Sequence, residues 1–406
     1  MTLPKTDRAR PSTATAATGA TAASADAAAT ATIAAIAESS ADLIAALQDA
    51  GGAYPASPTF SAYTGYSWFR DGAFIADGMS SYGRADSAER FFNWCAAVLD
   101  TRAGDVTAIV EAARAGEPVA DAAMLATRFT FDGRAGDDEW WDFQLDGYGT
   151  WLWAVGQHVR RHGTDASRWA TSIALTVDYL CVSWQRPCFD WWEEHAMHVH
   201  VSTLGCIAAG LRAAVALGVL DLDREASAVE AETQILELLR SEGVADGHLT
   251  KWIGSDAVDA SLASVVGLLG VLPGDSDLGR ATIDAIERDL AVEDGVYRYL
   301  GDTFYGGGRW PLLSCMLGLA HLRAGDVDRA RELLEWAAST AGPDWSLPEQ
   351  VGGHLLAPER VDEWVERWGP VAQPLLWSHA MLIRLAVELG DAEVADAEVA
   401  GSEVDA

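Results

Sequence analysis

With 406 residues, half of them hydrophobic, the chain can bury a large core, either as one big domain or as two to three ordinary ones. Sixty acidic residues against 28 basic ones give a formal charge of -32, which repels phosphate backbones and anionic bilayers. Nucleic acid and membrane surfaces are thereby excluded as expected partners, and neutral or cationic ligands are favoured.

Residues 1–29 are rich in Ala, Thr and Ser, with Asp26 inside, and lack the apolar stretch of a signal peptide; they are expected to be a disordered tail. No apolar stretch of about 18 residues runs uninterrupted, which predicts no membrane span. From there on, segments of helical period recur near 30–50, 70–82, 84–101, 143–162, 166–184 and 199–218. They continue near 222–242, 257–270, 275–290, 310–324, 327–341 and 373–390, making twelve. Residues 393–406 are expected to be a second, acidic disordered tail.

Short connectors such as His162-Gly163-Thr164-Asp165 and Gly325-Asp326 join neighbouring helices into antiparallel hairpins. Within a pair the first helix is apolar and rich in small residues, as at 207–217, and its partner is charged, as at 224–233. A helix that is apolar nearly all round belongs inside and an amphipathic one outside. Six such hairpins predict an all-α toroid over residues 30–392, six helices inside six. A superhelical repeat array is the alternative, and no fixed-period repeat supports it. The long connections 51–69, 102–142, 185–198, 291–309 and 342–372 are read as loops that carry function.

Five cysteines (Cys95, Cys181, Cys188, Cys206 and Cys315) form no CxxC pair, which predicts free thiols in a reducing compartment and a cytoplasmic location. Positive charge is nearly all arginine; the two lysines are Lys5 and Lys251.

Seventeen tryptophans are many for this length, and Trp68, Trp140, Trp141, Trp191, Trp192, Trp310, Trp345 and Trp377 lie in or beside the long loops. Singly each reads as packing. Together, interleaved with Asp, Glu, Arg and Gln, they suit a pyranose, which offers an apolar face to an indole and a hydroxyl rim to charged planar groups. Asp190-Trp-Trp-Glu-Glu-His ends a loop and leads into an apolar helix. Its adjacent carboxylates, flanked by indoles, have physical reason for unequal pKa values, as a general acid requires; a Glu-rich helix start is the plainer reading. His195, His198 and His200 fall on different faces of a helix start, so no metal is expected, and no cofactor. In Leu347-Pro-Glu-Gln-Val-Gly-Gly, proline restrains the backbone beside Glu349 and glycines permit close approach of a ligand.

Five blocks in order make the chain resemble the glucoamylase-type glycoside hydrolases of family fifteen. They are Tyr66-Ser-Trp-Phe-Arg-Asp, Trp140-Trp-Asp-Phe-Gln-Leu-Asp-Gly, Trp192-Glu-Glu, Arg298-Tyr-Leu-Gly-Asp-Thr-Phe-Tyr through Trp310, and Leu347-Pro-Glu-Gln with Trp377-Ser-His downstream. The resemblance implies an (α/α)6 barrel and an inverting, exo-acting hydrolase, with Glu193 as general acid and Glu349 as the base that activates water. On the same resemblance Trp192 and Glu194 raise the pKa of Glu193. Arg70, Asp71 and Arg298 grip the non-reducing glucose, and Tyr66, Trp68, Trp140, Trp192, Glu194, Trp310 and Gln350 surround it and the water. Room is lacking for the family's β-sandwich or starch-binding modules, so the chain is similar to a compact branch acting on short α-1,6-linked sugars such as isomaltose. Trehalose or maltose as substrate, or a non-catalytic sugar-binding barrel, are the rival readings.

Overall fold

The computed structural model describes the backbone of residues 14–136 and 143–404, with side chains placed between 29 and 392 within those spans. In chain order the helices are α1 (Ala14–Leu47), α2 (Phe69–Ser81), α3 (Ala85–Asp100), α4 (Ala103–Arg114), α5 (Asp146–His162), α6 (Ala170–Ser183) and α7 (Val201–Ala216). They continue as α8 (Leu222–Glu242), α9 (Leu262–Val266), α10 (Asp277–Leu290), α11 (Pro311–Ala324), α12 (Val327–Ser339), α13 (Val361–Trp368) and α14 (Leu376–Val404).

Helices α2, α5, α7, α9, α11 and α14 each pack on the next and close into a ring, and α3, α6, α8, α10, α12 and α1 back them from outside. This is the expected (α/α)6 barrel, with the last inner helix paired to the first outer one. Small residues make the ring tight. A Cβ on Gly149 of α5 would lie 2.5 Å from the Cys206 carbonyl oxygen of α7, and one on Gly210 only 2.4 Å from that of Gly149. The two backbones therefore touch directly, which explains the small-residue composition of the inner helices. Hairpins close on Gly163 and Gly325, both left-handed, and Asp221 and Asp326 cap the helices that follow by accepting the Arg224 and Arg329 amides.

Three differences from the expected layout have local causes. The segment 102–142 holds α4, whose buried Val106, Ile109 and Val110 give it an apolar face, and 342–372 holds α13. Helix α9 is much shorter than 257–270 because the chain turns at Gly267, packed on the Ala320 backbone, and at left-handed Gly270. Helices α1 and α14 extend into both segments read as tails, where alanine favours helix.

Ala29–Leu47 is, by length and composition, apolar enough to cross a membrane, contrary to the expectation that no such stretch exists. In the barrel it buries Ile36, Ala37, Ala41 and Ile44 in the core. Among the described residues there are also three two-stranded antiparallel ribbons: β1 (Tyr66–Trp68) with β2 (Arg128–Thr130), β3 (Val244–Ala245) with β4 (His248–Leu249), and β5 (Ala291–Val292) with β6 (Gly295–Val296).

Candidate active site

The starts of the inner helices, and the loops that lead into them, line one cavity of about 200 Å3. Helix α2 brings Arg70 and Asp71, the loop before α7 brings Trp191 to Glu194, the loop before α11 brings Arg298, Phe304 and Trp310, and the approach to α14 brings Glu349, Leu375 and Trp377. A wider groove, about 1140 Å3, opens among the ends of the same helices, with Arg161, Arg323 and Arg384 on its wall. Each of these arginines faces Asp77 or Glu388, so the cations of this groove are already paired. Both carboxylates of the sequence analysis lie in the first cavity and none in the second.

One wall carries Glu193. The residue sits at φ 62, a left-handed conformation unusual outside glycine, in a turn where its amide donates to the Asp190 carbonyl at 3.0 Å. Its carboxylate accepts the Trp68 indole N–H at 2.6 Å, with Arg70 Nη2 3.8 Å from the same oxygen. Glu194 turns toward Arg298, whose Nη2 is 3.7 Å away, and accepts the Tyr299 hydroxyl.

A second wall of the same cavity carries Glu349, 2% exposed. Its amide donates to the Ala372 carbonyl at 2.9 Å, Oε1 accepts the Tyr63 hydroxyl at 2.9 Å, and Oε2 has no hydrogen-bond partner. Burial pushes the carboxyl up to about 8, with the Tyr63 hydrogen bond and Arg298 opposing and Asp71 and Asp302 assisting.

Between the two walls the cations are fixed from behind. Arg70 is held by Asp146 at 3.1 Å, Asp71 at 3.3 Å and the Gln144 side-chain amide oxygen Oε1 at 2.5 Å. Burial raises the Asp71 carboxyl although Arg70 opposes it. Arg298 is paired side-on with buried Asp302, and its guanidinium carbon lies 5.1 to 5.4 Å from the rings of Phe304, Trp192 and Trp310.

Of the residues named from sequence, Trp68, Arg70, Asp71, Trp192, Glu193, Glu194, Arg298, Trp310 and Glu349 meet in the cavity. Two others do not. Gln350 turns to the 304–308 loop, accepting the Gly308 amide and donating to the Phe304 carbonyl. Tyr66 lies outside the lining, its ring stacked under the Arg128 guanidinium at 3.8 Å. Trp140 lies outside the described residues, and Trp345 is 41% exposed.

Sequence reasoning missed Tyr63, Phe304, Trp364 and Trp368, which also line the cavity. The last two sit four residues apart on α13, a spacing that puts them on one helix face and was the available signal. Among the described residues one group, Asp190, Glu194 and His195, brings possible metal-ligand atoms within 4.8 Å of one another.

The chain matches the Glycosyl hydrolases family 15 across residues 32–352. It is 52% identical over 358 residues to the isomaltose glucohydrolase of Kribbella flavida, a match spanning 87% of this chain and 92% of that one. A trehalase of Mycolicibacterium smegmatis is 28% identical over 71% of this chain, but this chain spans only 46% of that enzyme. Among solved structures, a wild-type glycosidase superposes with a TM-score of 0.87 at 51% identity, covering 89% of this chain and 98% of that one. A bacterial glucoamylase complexed with acarbose shares the fold at a TM-score of 0.70 and 19% identity, covering 87% of this chain and 55% of that one.

Proposed function

Since this chain belongs to glycosyl hydrolase family 15, it is a glycoside hydrolase, and we propose that it releases β-D-glucose from the non-reducing end of short α-1,6-linked glucosides, isomaltose foremost. The observation that carries this reading is that Glu193 and Glu349 line one small, indole-rich cavity whose cations are already fixed by carboxylates. Such a cavity takes the end of a chain rather than its middle. Identity to an isomaltose glucohydrolase over nearly its whole length supports the α-1,6 linkage.

In the proposed reaction Glu193 gives its proton to the glycosidic oxygen as the bond to the anomeric carbon breaks. Glu349 takes a proton from the water that attacks from the opposite face, so the configuration inverts. Oε2 of Glu349 is the acceptor left for that water, since Oε1 is engaged by Tyr63. Arg70 and Asp71 offer the planar donor and the acceptor that sugar hydroxyls need, and Trp68, Trp192 and Trp377 offer ring faces. A cytoplasmic location is part of the same proposal, supported by five free cysteines of which four are buried.

The test is to incubate the purified protein with isomaltose, maltose, trehalose and dextrin and to follow the released anomer by NMR. Isomaltose should be cleaved fastest and β-glucose should appear first. Initial α-glucose overturns inversion, and a faster rate on trehalose or maltose overturns the linkage.

A further inference from the structure

In a chain whose positive charge is almost wholly arginine, Lys251 is the sole lysine among the described residues, and it is buried. Its ammonium lies 2.5 Å from Asp259 Oδ2 and 3.0 Å from Asp190 Oδ2, and 3.9 Å from the centre of the Tyr299 ring. Two carboxylates and a ring around one buried charge suit a compact ammonium, whose donors turn freely, better than the fixed planar fork of a guanidinium. Burial opposes the charge, yet Asp259 and Asp190 together hold the ammonium above its ordinary pKa.

The two carboxylates hold different parts of the loop that carries Glu193. Asp190 Oδ1 accepts the backbone N–H of Trp192 at 3.0 Å and of Glu194 at 2.9 Å, bracketing Glu193 on both sides. Asp190 also accepts the Glu193 amide on its carbonyl and donates its own amide to the Glu194 carbonyl, both at 3.0 Å. Asp259, at the approach to α9, accepts the Trp192 indole N–H at 2.9 Å. Glu193 and His195 both have positive φ, a strained pair of conformations that persists only where the surroundings over-determine them. Without the ammonium, two buried carboxylates would face each other across Trp192 with nothing to neutralise them. Lys251 itself is not among the residues lining the cavity.

We propose that Lys251 is a positioning residue for the general acid: by clamping Asp190 to Asp259 it fixes the turn that aims Glu193 at the glycosidic oxygen, without touching the sugar. The proposal rests on the assignment of Glu193 as the acid, and the experiment separates the two. Lys251→Met, Lys251→Arg and Asp259→Asn are compared with Glu193→Gln on isomaltose, whose leaving group needs a proton, and on α-glucosyl fluoride, whose leaving group does not.

Lys251→Met should lower kcat on isomaltose about 100-fold while leaving KM and the fluoride rate near the parent enzyme, as expected when an acid is misplaced rather than a sugar released. Lys251→Arg, which keeps the charge but not the geometry, should recover only part of that loss. If Lys251→Met does not fold, Asp259→Asn opens one side of the clamp with the Lys251–Asp190 pair intact, and the same split between substrates is expected. Equal losses on both substrates, or full activity on isomaltose, overturn the positioning role. If Glu193→Gln itself slows both substrates alike, it is the acid assignment that has failed, and the clamp falls with it.

Discussion

The two walls of the cavity are built on opposite principles. The Glu193 wall is a charged scaffold: Asp190, Lys251, Asp259 and Arg298 surround the loop, and the carboxylate itself accepts an indole N–H beside Arg70. The Glu349 wall is a desolvated one, where a buried carboxyl has one hydrogen-bond donor, the Tyr63 phenol, and an oxygen without a hydrogen-bond partner. The acid side therefore depends on geometry, and the base side on burial. A carboxyl raised by burial is also a stored cost, because ionising it in the fold is harder than ionising it in water.

The largest test of this contrast exchanges each glutamate for glutamine. Both Glu193→Gln and Glu349→Gln should cut isomaltose hydrolysis by about 1000-fold or more, within the range set by general acid–base catalysis. Only Glu349→Gln should also abolish cleavage of α-glucosyl fluoride, since water still needs its base. The two should differ in stability as well. A carboxyl with its folded pKa raised loses stability as pH rises from its unfolded value through about 8, so Glu349→Gln should raise Tm at pH 8, on the order of 2 °C. A Glu349→Gln protein that keeps its activity would end the assignment of the base.

A smaller effect concerns pH. The base works ionised, and burial holds its proton, so kcat/KM of the enzyme should fall as pH drops through a limb displaced upward from the ordinary glutamate range toward 8. The Tyr63 hydroxyl opposes that shift by donating to the carboxylate. Tyr63→Phe should move the limb further up and slow the reaction near neutral pH by about 10-fold, the worth of one hydrogen bond to a charged group. A limb at pH 4.5 in the parent enzyme, unmoved in the variant, would show that the base wall is not desolvated in solution.

The same contrast decided what could be read from the sequence. Inner helices declared themselves through small apolar residues because backbones that touch, as at Gly149 and Gly210, leave no room for anything else. The Glu193 loop was legible because its charged and aromatic neighbours are adjacent in the chain. Adjacency in the chain could not show that burial raises Glu349 to about 8, because its surroundings come from Tyr63, Asp71, Arg298 and Asp302, none of them its neighbours in sequence. Gln350 misled for the same reason: a side chain one residue from a buried carboxylate faces the other way and pins the 304–308 loop. Tyr63 and the Trp364–Trp368 face carried no motif, and only packing brings them to the cavity.

The base wall also has an anchor of its own, a neutral buried histidine. His379 of α14 accepts the Leu347 amide on Nε2 at 2.9 Å and lies 2.7 Å from the Ser40 hydroxyl through Nδ1, joining the Glu349 loop to outer helix α1. Because Nε2 accepts, the ring is neutral with its proton on Nδ1, donated to Ser40. Burial lowers its pKa to about 3, although Asp344 opposes the shift. With a folded pKa below the unfolded value, the stability it contributes is complete above about pH 6.5 and is lost progressively as pH falls toward 3. Ser40→Ala leaves the Nδ1 proton buried without an acceptor and should cost about 1 to 3 kcal/mol, with the activity at neutral pH retained. Thermal unfolding between pH 7 and 4 checks both statements. His379→Ala should flatten the acid side of the Tm profile, and a variant whose Tm falls as steeply as the parent's would remove His379 from the account of the base wall.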